Sequence, residues 1–246
     1  MTTPPTWLIA NWKMNGDGPS VRAWAFAIDM ALADHTNTVR AVFCPPVIFM
    51  ADARAALPGN AQLKLGAQNC HEQTKGAFTG ELSAAMLMDA GCDFSILGHS
   101  ERRALGETDE QVLAKAKSAL AVGLMPIICI GESLEAYEKK QTNSALDTQL
   151  APLTQLPRGG YLIAYEPIWA IGTSRTPTMV EINAAHSHIK SVLGSSVGVL
   201  YGGSVNAGNA EEILAQTLVS GALIGGASLE IESMRAILAS APTRGK

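Results

Sequence analysis

Eight short apolar runs recur along this 246-residue chain, each followed by a turn and then by a stretch with helical spacing. They lie at 8–10, 39–43, 63–67, 94–97, 126–130, 161–165, 197–201 and 218–224. The runs are apolar on both faces, as parallel strands are when helices cover both sides of their sheet. The intervening helices carry their own start signals. Thr108-Asp109-Glu110-Gln111 is a capping box for a helix reaching Val122, and Thr178-Met179-Val180-Glu181 opens one reaching Leu193, with Ile182, Ala185, Ile189 and Val192 along one face. Eight such units in a chain of about 250 residues predict an α/β protein, a (β/α)8 barrel occupying residues 1–246 as a single domain. A doubly wound open sheet is the main rival. It would normally carry a glycine fingerprint after the first strand, where this chain reads Ala10-Asn11-Trp12-Lys13-Met14-Asn15.

Composition narrows the function classes. No run of about 18 apolar residues is present to span a bilayer, so a soluble protein is expected although 47% of residues are hydrophobic. The N-terminus has no basic region ahead of a long apolar core, and no signal peptide is expected. Cys44, Cys70, Cys92 and Cys129 are too scattered for a disulfide framework or a zinc knuckle, which fits a reducing cytoplasm. A formal charge of −4 argues against a nucleic-acid partner, so any anionic ligand must be held by local structure.

In a barrel of parallel strands chemistry collects at the strand ends, and here those ends are polar. Asn11 and Lys13 follow the first strand, and Gly98-His99-Ser100-Glu101-Arg102-Arg103 the fourth. Glu166 follows the sixth and is held out of the α region by Pro167; a segment that is nearly uncharged and non-helical up to Thr178 then reads as a mobile loop. Gly202-Gly203-Ser204 and Gly225-Gly226 close the last two strands and suggest backbone N–H groups around an anion. His35, His186 and His188 fall in or beside helices and are expected to be exposed, whereas His99 opens a short helical turn that disfavours its charged form. Cys129 reads as a packing residue. Base, imidazole, ammonium and anion cradle together suit proton transfer on a small phosphorylated carbonyl compound.

Asn11-Trp12-Lys13-Met14-Asn15, His99-Ser100-Glu101-Arg102-Arg103, Cys129-Ile130-Gly131-Glu132, Ala164 to Thr173 and Tyr201 to Val205 resemble triosephosphate isomerase, in order and over nearly the whole chain. The resemblance implies a TIM barrel that reversibly converts dihydroxyacetone phosphate to D-glyceraldehyde 3-phosphate through an enediolate, in glycolysis and gluconeogenesis, without metal or organic cofactor. It implies that Glu166 moves the proton, that His99 polarises the carbonyl, and that Lys13 and Asn11 stabilise charge on the substrate oxygens. The phosphate would sit on backbone N–H groups of Gly172, Ser204, Gly225 and Gly226. Glu101 and Arg102 would orient Lys13 and the fourth loop. The resemblance further implies a homodimer in which the loop at 70–81 places Thr79 at the partner's active-site rim. Departures lie mainly in the loop after Glu166, where Ser174 and Pro177 replace more permissive residues and are expected to alter lid kinetics. Ser220 stands where the family often has aspartate. The alternative is a catalytically silent barrel serving as a phosphate-ligand binding or scaffold protein. Such a protein would be expected to have lost Lys13, His99 or Glu166, and an aldolase of the Schiff-base type would need a lysine on a later strand.

Overall fold

The computed structural model describes residues 5–35, 38–171 and 175–242. Eight strands pair in sequence order, all in parallel, and β8 closes onto β1: β1 (Thr6–Asn11), β2 (Val39–Cys44), β3 (Lys64–Ala67), β4 (Phe94–Leu97), β5 (Met125–Ile130), β6 (Leu162–Tyr165), β7 (Gly198–Tyr201) and β8 (Gly221–Ile224). The barrel expected from the eight apolar runs is therefore the fold. Both capping boxes form as read: Thr108 caps the helix Asp109–Ala121, and Thr178 caps Met179–Leu193.

Side chains alternate along each strand and divide the core into two layers. Leu8, Ala10, Phe43, Ile128, Ile163, Tyr165 and Tyr201 point outward under the helices. Ile9, Val42, Ile96, Ile127, Ala164, Leu200 and Leu223 fill the barrel interior. That period of two fixes the site. Counting two residues on from Ile9, Ala164, Leu200 and Leu223 gives Asn11, Glu166, Gly202 and Gly225, so strand register alone aims these four at the inside of the barrel mouth.

Three expectations are corrected. The eighth strand begins at Gly221, not at Leu218, because Val219 donates to the Gln216 carbonyl in a preceding turn (3.1 Å). Gly221 then passes Trp7 so closely that a Cβ would stand 1.9 Å from its carbonyl oxygen. The segment after Glu166 is not wholly non-helical, since Ile168–Ala170 forms a 3-10 turn. His186 is fully buried rather than exposed: it lies on the inner face of its helix, edge-on to Tyr165 (5.9 Å, 90°), and burial lowers its pKa to about 4. Ser220 accepts the Val199 N–H through its hydroxyl (3.1 Å).

Candidate active site

Asn11, Lys13, His99, Glu166, Ser204, Gly225 and Gly226 line one cleft of about 360 Å³ at the C-terminal mouth of the barrel, together with Gly202, Gly203 and Leu223. The sequence singles out all of these but Leu223, and the fold brings them together. Gly172, Thr173 and Ser174 lie outside the described residues.

Glu166 follows the last residue of β6 and is almost completely buried. Two glycines make the slot it occupies. A Cβ on Gly131 would stand 1.7 Å from the Glu166 carbonyl oxygen, and one on Gly202 would stand 2.8 Å from Glu166 Cγ. Its carboxylate accepts the Ser100 N–H (3.0 Å) and lies 3.1 Å from His99 Nε2. Burial raises its pKa to about 7, against the lowering effect of the Ser100 N–H and Lys13.

His99 is the N-cap of the turn Ser100–Ala104, and its Nδ1 accepts the N–H of Glu101 (3.2 Å). A ring nitrogen that accepts an N–H carries no proton, so the proton of the neutral ring sits on Nε2 and points into the cleft. Burial is the main reason that His99 has its pKa lowered to about 4, with Lys13 adding to it and Glu101 opposing it. The helix terminus invoked from the sequence points the same way, but desolvation dominates.

Lys13 adopts a left-handed backbone (φ 52°), a strained conformation for a residue with a side chain. Three contacts hold it there. Its N–H donates to Asn11 Oδ1 (3.1 Å), its carbonyl accepts from Gln68 Nε2 (2.9 Å), and its ammonium pairs with Glu101 (2.6 Å). Glu101 thus contacts both Lys13 and the His99 turn. Arg102 lies to one side, lining a neighbouring cleft with Met14, Val47 and Glu81.

The glycine pairs separate into two roles. Gly202 does not offer its N–H to the cleft, because it donates to the Tyr165 carbonyl (2.7 Å); its job is to leave room for Glu166. Gly226 opens the 3-10 turn Gly226–Ser228, whose first amides have no acceptor within the turn, and Gly225, Gly226 and Ala227 line the cleft. Ser204 ties its hydroxyl to the Ala170 carbonyl (3.1 Å), joining the seventh strand end to the segment that follows Glu166.

Sequence reading missed the buried polar supports. Glu107 accepts the Gly98 N–H (3.0 Å) and pairs with buried Lys115, which also donates to Asn69 (3.0 Å). Arg103 donates to the Gly98 carbonyl (2.7 Å) and to Asp109 (2.6 Å). Gly98, at φ 67°, is therefore gripped on both sides immediately before His99. Glu132 stands out in the sequence only as the end of the run Cys129-Ile130-Gly131-Glu132. Its Oε1 accepts from Trp169 Nε1 (2.7 Å) and the Tyr165 hydroxyl (3.1 Å), and it anchors the turn after Glu166.

Fold and cleft define a (β/α)8-barrel protein with a buried carboxylate–imidazole pair beside a glycine-rich turn at the barrel mouth. Residues 6–241 match the family model described as triosephosphate isomerase. Triosephosphate isomerase of Rhodopirellula baltica is 42% identical over 96% of this chain and 97% of its own length. That of Alcanivorax borkumensis is 43% identical over 92% and 94%. The crystal structure of triosephosphate isomerase from Bartonella henselae superposes with a TM-score of 0.85 at 36% identity, covering 96% of this chain and 98% of that one. This chain belongs to the triosephosphate isomerase family.

Proposed function

We propose that this protein interconverts dihydroxyacetone phosphate and D-glyceraldehyde 3-phosphate by proton transfer, with Glu166 as base and His99 as electrophile. The observation that carries this reading is a buried carboxylate 3.1 Å from a buried imidazole in one cleft, where burial raises the pKa of the first to about 7 and lowers that of the second to about 4. Glu166 takes a proton from the substrate carbon beside the carbonyl and returns it to the adjacent carbon, while the hydroxyl proton passes to the former carbonyl oxygen by way of His99 Nε2. A base whose pKa lies near the working pH serves both halves of that cycle. The substrate carbonyl oxygen takes the Nε2–H of His99 in place of Glu166, while Lys13 and Asn11 face the oxygens on which negative charge develops. The amides of Gly225, Gly226, Ser204 and Gly172 hold the phosphate, a group that does not react and whose binding energy can be spent on orienting the part that does.

The titration of Glu166 sets the pH dependence. Only its carboxylate removes a proton, so kcat/KM should fall about tenfold per pH unit below about pH 7 and level off above it. His99, with its pKa near 4, adds no second limb between pH 5 and 9. Glyceraldehyde, which carries no phosphate to titrate, is the substrate for this measurement. A profile flat down to pH 5 would remove Glu166 from the role of base. Folded protein that converts no triose phosphate at any pH would favour a silent binding barrel.

The active assembly is a homodimer in this reading. Met14 and Val47 stand exposed around a cleft of about 320 Å³ that Arg102 and Glu81 also line, and the loop at 70–81 projects its exposed Thr79 beside it. An apolar rim of this kind is what a partner's loop would cover. Sedimentation velocity at micromolar concentration should give one species of twice the chain mass; a fully active monomer would contradict it. The protein acts in the cytoplasm on this account, consistent with four free, buried cysteines. No helix among the described residues is long and apolar enough to cross a membrane.

A further inference from the structure

The turn Gly226–Ser228 is held from behind by an arrangement that none of the residues facing the cleft reveals. Trp12 Nε1 and Trp24 Nε1 both donate to the carbonyl of Ser228, at 3.2 Å and 2.7 Å. The two indoles meet edge to face (5.8 Å, 75°), both pack on Phe43, and all three rings are buried. Ser228 itself is fully buried, and its hydroxyl lies 2.7 Å from the Gly225 carbonyl and 3.2 Å from that of Ile224. The Ser228 N–H also donates to the Gly225 carbonyl (2.8 Å).

A trans peptide is planar, with its C=O and N–H pointing in opposite directions. Turning the Ile224 carbonyl inward toward Ser228 therefore turns the Gly225 N–H outward, and turning the Gly225 carbonyl inward does the same for the Gly226 N–H. We infer that Ser228, anchored by the indole N–H groups of Trp12 and Trp24, is a positioning residue that aims the Gly225 and Gly226 amides at the substrate phosphate. Trp12 lies between Asn11 and Lys13 in the chain. One anchor thus fixes the phosphate end of the cleft relative to the end where Lys13 meets the reacting oxygens, and with it the length of substrate that spans the two. This assignment rests on the triose phosphate reading given above.

The test compares Ser228→Ala and Trp24→Phe with wild type, using inorganic phosphate as a competitive inhibitor and both dihydroxyacetone phosphate and phosphate-free glyceraldehyde as substrates. Ser228→Ala should raise the inhibition constant for phosphate and the KM for dihydroxyacetone phosphate by about tenfold, the worth of one well-aimed hydrogen bond to a charged group. Its kcat/KM on glyceraldehyde should stay within about twofold. Trp24→Phe keeps an aromatic ring and loses only one donor to the Ser228 carbonyl, so it should shift the same quantities in the same direction by less. It supplies the comparison if the alanine variant does not fold. An unchanged phosphate inhibition constant in folded Ser228→Ala would overturn the assignment, and so would an equal loss on both substrates, which would mark a general structural role. Wild type that binds phosphate in a Ser228-dependent way yet isomerises neither triose would uphold the cradle and overturn the proposed reaction.

Discussion

Glu166→Asp is expected to lower kcat by about two orders of magnitude while moving KM far less. Shortening the side chain by one methylene withdraws the carboxylate from the reacting carbon by about 1 Å, and misplacement on that scale costs about a hundredfold in rate. The backbone cannot move in to compensate. Gly131 lies directly against the Glu166 carbonyl oxygen, and Gly202, tied through its N–H to the Tyr165 carbonyl, walls the slot beside Glu166 Cγ. A coupled assay on wild type and variant side by side checks this. A variant within threefold of wild type would mean that another group is the base.

The second large effect concerns stability. Glu107→Ala leaves the Lys115 ammonium buried with Asn69 as its remaining side-chain partner among those described, and it strips the Gly98 N–H of its acceptor. Both members of the pair are almost wholly shielded, with side-chain exposures of 6% and 3%. Removing one partner of such a pair typically costs about 3–5 kcal/mol, because the surviving charge has nowhere to go. Urea unfolding at fixed chain concentration should show a loss of that size. Activity of the folded fraction should also fall, since Gly98 immediately precedes His99 and its positive φ is held by Glu107 on one side and Arg103 on the other. A loss below about 1 kcal/mol would show that the ammonium finds water instead.

What the sequence made legible is whatever a local pattern dictates. The eight strands follow from apolar runs and the helix starts from capping boxes, and strand ends mark Asn11, His99, Glu166 and Gly225. The supports do not follow, because no local pattern marks which groups meet: Glu107–Lys115 and Arg103–Asp109 join residues only eight and six positions apart, while Glu132 reaches Trp169 across 37. Glu107 reads as a loop carboxylate just ahead of a capping box; only folding brings Lys115 against it. His186 reads as exposed because a histidine in a helix reads as polar, yet Ile182, Ala185 and Ile189 mark the buried face beside it. Gly202 reads as an anion donor in the sequence because a glycine pair at a strand end has two uses. Offering an N–H and making room for a neighbour look alike until Glu166 is seen against it.

The central claim, proton transfer to and from carbon by Glu166, is tested most directly by converting dihydroxyacetone phosphate in D2O and reading the product by NMR. The account predicts rapid conversion with deuterium at the C2 of a share of the D-glyceraldehyde 3-phosphate, because the proton held on the Glu166 carboxyl can exchange with solvent before it is returned. Conversion that leaves C2 entirely protiated would point to direct hydride transfer, and folded protein that gives no conversion at all would contradict the assignment of the reaction itself.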